Sequence, residues 1–247
     1  MNAKSVIGIH RVLRKALNQA YKLQMITKNP ADCTELPKPK RYYPKLLADE
    51  DIERFIKAFF ETDIYIPTML SLMLGLRRGE TLGLRWQDIN WINNIICIRQ
   101  SVLPTKNGII FADVKTESSH RDIPVSEHII NMLKEYKTIQ DEYKKYFDKA
   151  YIDNDLICCK KDGFPYNPGT FSHMFENILI KNNIPQMRFH DLRHTNATLM
   201  LKNNISAKIA SSRLGHATTA ITLDLYSHVL PDMHKEAIEK LDNVFFK

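Results

Sequence analysis

The sequence predicts a mainly α-helical domain with a small antiparallel β-sheet (class α+β), preceded by a basic helix and linker. Three observations carry this. Apolar residues recur at helical spacing over most of the chain from residue 49 onward. Three short β-rich segments cluster between residues 95 and 125. Three prolines within residues 37–44 interrupt the helical pattern near the N-terminus.

In the first helix, Ile9, Leu13, Ala16, Ala20 and Leu23 form a narrow apolar stripe, with Arg11, Arg14, Lys15, Asn18 and Lys22 opposite. Asn29-Pro30 cannot continue that helix, and residues 36–46 read as a basic, extended linker. The division expected is 1–45, a small helical piece with its linker, and 46–247, the larger domain. The acidic run Asp49, Glu50, Asp51 suits the N-terminus of the next helix.

Helices are then predicted over 49–61 and 64–76, and a short one from Gly79 to Leu84, ended by a turn at 85–88. Residues 95–99, 109–113 and 121–125 are β-rich, and the Asn107-Gly108 turn lies between the first two, which predicts antiparallel pairing. A long helix follows from Ser126 to about Tyr146. Residues 155–166 look like a buried strand with a turn at Asp162-Gly163. Further helices are predicted near 168–182, 190–202, 206–214 and 219–229, with an amphipathic tail over 232–243.

Composition excludes several classes. No apolar run approaches the ~18 residues of a membrane span, and the N-terminus has no signal-peptide pattern. The four cysteines (Cys33, Cys97, Cys158, Cys159) show no paired spacing, so they read as reduced thiols and the expected location is the cytoplasm. The net charge is +7. Residues 1–50 hold ten Lys/Arg against four Asp/Glu, a surplus of six, so nearly all of the excess lies there. That distribution admits a solvated helix face and equally a helix laid on phosphates, since clustered cations release counterions from DNA. On the second reading the DNA-binding residues are Arg11, Arg14, Lys15, Lys22, Lys38, Lys40 and Arg41.

Isolated chemical signals are weak. His190 and His194 stand at i, i+4, but the zinc-protease pattern requires Glu where this chain has Asp191. Neither a GxSxG elbow nor a GxGxxG or GxxxxGK[ST] loop is present, so no nucleotide cofactor and no metal is expected. Arg77 lies where an apolar helix ends, and reads either as an ion pair with Glu80 or as an anion ligand. Arg193 shares a helix face with His190. Gly215 fits the end of a helix, leaving His216 at the junction. His190 has a bland reading as a core histidine, and Tyr226 one as a half-buried aromatic.

Taken together, the order Arg77, Lys115, His190, Arg193, His216, Tyr226 resembles the tyrosine recombinase (phage integrase) family. The segments that carry it are GLRRGETLGLRWQDI, VKTESSHRDIPV, HDLRHTNATLM and LGHATTAITLDLYSHVLP. The resemblance runs from about Leu46 to Leu230 and is strongest, in its last two boxes, toward integrases of phages and conjugative elements. It implies the catalytic-domain fold of that family and site-specific breakage and rejoining of DNA strands without metal, ATP or other cofactor. Arg77 and Arg193 would clamp the phosphate, His216 would add a hydrogen bond, and Tyr226 would be the nucleophile. His190 would assist loss of its proton and Lys115 would protonate the leaving 5′-oxygen. Arg78, beside Arg77, leaves open which arginine points inward, and family register favours Arg77.

The partners implied are double-stranded DNA attachment sites and further copies of the chain, a tetramer on DNA assembled from free monomers. An excisionase or host DNA-bending protein is a candidate helper, and the place of action is the bacterial nucleoid. A complete core-binding domain is missing ahead of residue 46, so the chain is expected to be a truncated or shortened relative that grips DNA poorly. The tail with Phe245 and Phe246 is expected to pack on a neighbouring protomer. The competing class is a catalytically silent DNA-binding regulator, which would have no need of Tyr226.

Overall fold

The computed structural model describes residues 2–39, 44–114, 120–216 and 218–226 (of 224–226 the backbone alone), with Ile238, Asp242 and Phe245 beyond them. They fall into two compact units, Met1–Tyr43 and Pro44–Lys247. Among the described residues no helix is long and apolar enough to cross a membrane.

The first unit is the helix α1 (Ala3–Lys22) with a 3-10 turn at Pro30–Cys33 folded onto it. Asn29 fixes the contact. Its side-chain oxygen accepts from Ala31 N at 2.9 Å, and its amide donates to Asn18 Oδ1 at 2.7 Å. A buried amide needs such partners, so the polar side of α1 faces the turn. Arg14 pairs with Asp32 at 2.7 Å, and His10 Nε2 lies 3.0 Å from the Ala31 carbonyl. The stripe read as apolar is left open, with Ile9 57% and Leu13 52% exposed. Arg14 remains about half exposed beside Asp32.

In the second unit, a 3-10 turn at Asp49–Asp51 leads into α2 (Ile52–Phe60), followed by α3 (Tyr65–Leu74) and α4 (Arg78–Gly83). Five strands follow: β1 (Ile89–Asn90), β2 (Ile95–Ile98), β3 (Gln100–Thr105), β4 (Gly108–Asp113) and β5 (Arg121–Pro124). The pairing corrects the expected one. Residues 109–113 do not pair with 95–99. Lys106 and Asn107 close a separate hairpin of β3 and β4, with Thr105 opposite Gly108. Strand β2 lies instead between β1 and β5, Ile96 opposite Ile123, all antiparallel. The strand β3 was not legible because Ser101, Pro104 and Thr105 break apolar alternation, and a two-stranded edge tolerates proline.

The remaining helices are α5 (Glu127–Phe147), α6 (Pro168–Lys181), α7 (Asp191–Lys202), α8 (Ala207–Leu214) and α9 (Thr219–Tyr226). Residues 155–166 form no strand, only isolated bridges from Arg85 to Leu156 and Cys159 to Pro165. Their buried backbone is satisfied irregularly, for example Ile157 N to Leu84 O at 2.9 Å. The tail predicted over 232–243 lies outside the described residues except for Ile238 and Asp242, as does Phe246.

The main core positions the start of α7. Phe59, Phe171, Phe175 and Phe189 interlock, with Phe171 and Phe189 rings edge to face at 4.8 Å. Burying each such ring stabilises by roughly 1.5–3 kcal/mol, so Phe189 anchors the residue that precedes His190. A smaller cluster of Ala197, Leu201, Ala210 and Leu214 clamps α8 to α7.

Candidate active site

Two glycine-capped helix ends set the site. Helix α3 stops because Gly75 takes a left-handed conformation (φ 65°), and α8 stops the same way at Gly215 (φ 67°). At Gly75 a side chain would also strike Leu214 and, at 2.8 Å, Asn196 Oδ1. Helix α7 is stitched to the C-terminal carbonyls of α3, which no longer have helical partners. Asn196 Nδ2 donates to Leu72 O (2.9 Å) and Met73 O (3.0 Å), and Arg193 Nη1 donates to Gly75 O (2.7 Å). Arg193 is 2% exposed.

Two residues past Gly75, Arg77 forms the N-cap of α4. Its backbone N–H donates to Glu80 Oε2 at 3.0 Å, and its Nη1 to Glu80 Oε1 at 2.7 Å. The other guanidinium nitrogen, Nη2, donates to the Gly215 carbonyl at 2.8 Å. Arg77 is thus both the Glu80 ion pair and the residue that reaches the second glycine cap. Arg78 points elsewhere, its Nη1 donating to Ser172 Oγ on α6 at 2.6 Å. The inward arginine is Arg77.

The end of α8 delivers His216. Gly215 N donates to Ser212 O and His216 N to Ser211 O, both at 3.1 Å, the double bond pattern of a Schellman cap. His216 Nδ1 lies 2.8 Å from Thr222 Oγ1, and Thr222 is fully buried on α9. Tyr226 follows one helical turn later as the last residue of α9. Lys115 lies outside the described residues, two positions past the end of β4.

His190 caps α7 from the open side, its ring edge to face with His194 at 5.1 Å. Desolvation pushes His190 down to about 4, helped by His194, Arg193 and Arg188. His216 is also pushed down to about 4, first by desolvation and then by Arg193 and Arg77. Both imidazoles are neutral at pH 7, and both sense the guanidiniums around them. Among the described residues no three His, Cys, Asp or Glu side chains gather at metal-ligand spacing.

Two charged residues at the site were not singled out as candidates. Glu80, 3% exposed, accepts from Arg77 and also from Arg121, whose Nη2 donates at 2.8 Å. Burial alone would raise the Glu80 carboxyl, but Arg121 and then Arg77 outweigh it and hold the pKa below the usual range. Arg121 was legible in principle. Alternate strand residues share a face, so Arg121 faces the way buried Ile123 does and requires an acid.

The basic N-terminal residues belong to the first unit. Arg11, Lys15, Lys22 and Lys38 are exposed, Arg14 is exposed and paired with Asp32, and Lys40 and Arg41 lie outside the described residues.

Comparison with known proteins bears on this arrangement. The model of the phage integrase family matches residues 45–233. The ICEBs1 integrase of Bacillus subtilis is 26% identical over 99% of this chain and 67% of its own length. A XerC-like tyrosine recombinase of Caldanaerobacter subterraneus subsp. tengcongensis is 25% identical over the same shares. The chain thus spans about two thirds of these relatives. Among solved structures, the Tn1549 transposon integrase superposes with a TM-score of 0.81 at 22% identity, over 98% of this chain and 80% of that one. The lambda integrase gives 0.60 at 23%, over 91% and 59%. The family match encloses Arg77, Lys115, His190, Arg193, His216 and Tyr226 alike, and with it the chain belongs to the phage integrase family.

Proposed function

We propose that this chain is a site-specific recombinase that cuts and rejoins DNA through a 3′-phosphotyrosine at Tyr226, moving a phage or conjugative element. The observation that carries the reading is the convergence of Arg77, Arg193 and His216 on two neighbouring glycine caps, from segments up to 138 residues apart. Two guanidiniums aimed at one locus suit a phosphodiester whose non-bridging oxygens gain charge in the transition state. The named relatives, integrases of mobile elements, support the same chemistry. The Tn1549 integrase was solved with transposon right-end DNA, which favours duplex DNA as the partner here.

In the proposed sequence of events, the phosphate enters between Arg77 and Arg193, with His216 as a further hydrogen-bond donor. Tyr226 attacks the phosphorus, and the bond from phosphorus to the 5′-oxygen breaks. An ordinary tyrosine has a pKa of ~10, so the hydroxyl needs an acceptor. His190 is neutral at pH 7 and free to take that proton. Lys115 gives a proton to the departing 5′-oxygen. The covalent ester conserves the bond energy, and attack by another 5′-hydroxyl restores the phosphodiester and frees the tyrosine. Assembly as a tetramer on DNA, aid from an excisionase or DNA-bending protein, action at the nucleoid, and DNA contacts by Arg11, Lys15, Lys22, Lys38, Lys40 and Arg41 are parts of the same proposal.

The test is a nicked duplex made from the DNA that adjoins the coding sequence, with chelator present. A protein–DNA adduct that survives denaturation, and is lost in Tyr226→Phe, supports the reading. Equal DNA affinity without any adduct would favour the silent regulator.

A further inference from the structure

We propose that Arg121 is a positioning residue that offsets Glu80, so that the cluster around Arg77 keeps a net positive charge toward phosphate, and that it holds the His216 turn in place. The inference rests on the recombinase reading above and adds to it a residue outside the six.

The geometry is specific. Glu80 is one carboxylate shared by two guanidiniums, Arg77 at 2.7 Å and Arg121 at 2.8 Å. Each arginine also donates from one further nitrogen to a backbone carbonyl at the same helix end. Arg77 Nη2 takes Gly215 O at 2.8 Å, and Arg121 Nε takes Arg213 O at 2.8 Å. The two carbonyls are two residues apart, and that of Gly215 directly precedes His216. Arg121 thus ties β5 to α4 and to the end of α8 at once. Its side chain is 7% exposed against 38% for Arg77. Arg77 is the more accessible of the two, within reach of a phosphate entering the site, while Arg121 stays behind it.

Charge makes this more than a brace. The Arg77–Glu80 pair alone sums to zero and would offer an incoming phosphate little net attraction. With Arg121 the three groups carry two positive charges and one negative, leaving one positive charge in excess. In a partly desolvated site that excess is felt strongly. Arg121 also occupies Glu80, so less of the carboxylate's field opposes Arg77. A neutral residue at position 121 would hand Glu80 wholly to Arg77.

The test compares adduct formation by the 247-residue chain on two nicked duplexes, one with the ordinary scissile phosphate and one with a neutral methylphosphonate. The measured quantity is the ratio of the two rates within each protein. It does not depend on how much of a variant is folded. Arg121→Gln should lower the phosphodiester rate about 100-fold, the size of losing one charge-stabilising group, and the methylphosphonate rate about tenfold or less. Arg121→Lys should recover much of the ratio. Glu80→Gln/Arg121→Gln, which removes one charge of each sign, should recover the ratio too, and serves if the single variant does not fold. Equal losses on both substrates in Arg121→Gln, or no recovery in the double variant, would overturn the proposal and leave Arg121 a structural brace. No adduct from the wild type would instead overturn the recombinase reading on which it rests.

Discussion

The Arg77 guanidinium donates to the Gly215 carbonyl at 2.8 Å across 138 residues of sequence. That bond joins the cap of one helix to the cap of another and sets the distance between Arg77 and His216. Most of what the site requires follows from keeping those two caps in register.

Removing Arg77 should cost catalysis far more than removing its neighbour. Arg77→Ala takes away a charged fork aimed at phosphate, and a loss of about 10³-fold in adduct formation is expected. Arg78 donates to Ser172 on α6, away from the Gly215 cap, so Arg78→Ala should change the rate by less than about tenfold. Rates on one nicked duplex, measured side by side, check this.

The glycine caps should be intolerant of alanine. Gly215→Ala forces a side chain into a left-handed backbone and should cost about 1–2 kcal/mol in denaturant unfolding. Gly75→Ala meets the same strain and also the Leu214 and Asn196 side chains, so its cost should be larger. Equal values for the two would mean that the α3–α8 contact is loose.

Acid should destabilise the fold through the site histidines. His190 and His216 have folded pKa values near 4, below an unfolded value of ~6.5. The unfolded chain therefore binds protons that the folded chain refuses. This contribution is fully present above pH 6.5 and is lost as pH falls from 6.5 toward 4. Solvent screens the share of exposed His190, so about 3 kcal/mol is expected for the pair. Chemical denaturation at pH 7 and pH 4.5 should show a smaller difference in His190→Gln/His216→Gln than in wild type.

Much of this arrangement was legible in the chain, and the reasons for the remainder are physical. Helices α2 to α9 announce themselves by 3.6-residue periodicity, and Gly75 and Gly215 by standing where an apolar pattern stops. Strand pairing was misread because Asn107-Gly108 marks a hairpin but not its partners, and β3 carries too little apolar alternation to be seen. Glu80 was visible only as a neighbour of Arg77. Its second partner, Arg121, is 41 residues away; alternation marks Arg121 as an inward arginine of β5 but does not mark Glu80 as its acid. The open stripe of Ile9 and Leu13 ran against helix patterning because Asn29 draws the polar side of α1 onto the turn.

The central claim is that Tyr226 becomes covalently joined to DNA at a site built from Arg77, Arg193 and His216. The direct measurement is a denaturing gel of the chain incubated, in chelator, with a nicked duplex from the DNA beside its gene, for wild type, Tyr226→Phe and Arg77→Ala. The account predicts a shifted protein–DNA band in wild type, none in Tyr226→Phe, and one about 10³-fold slower to form in Arg77→Ala. A band of wild-type strength in Tyr226→Phe would contradict it.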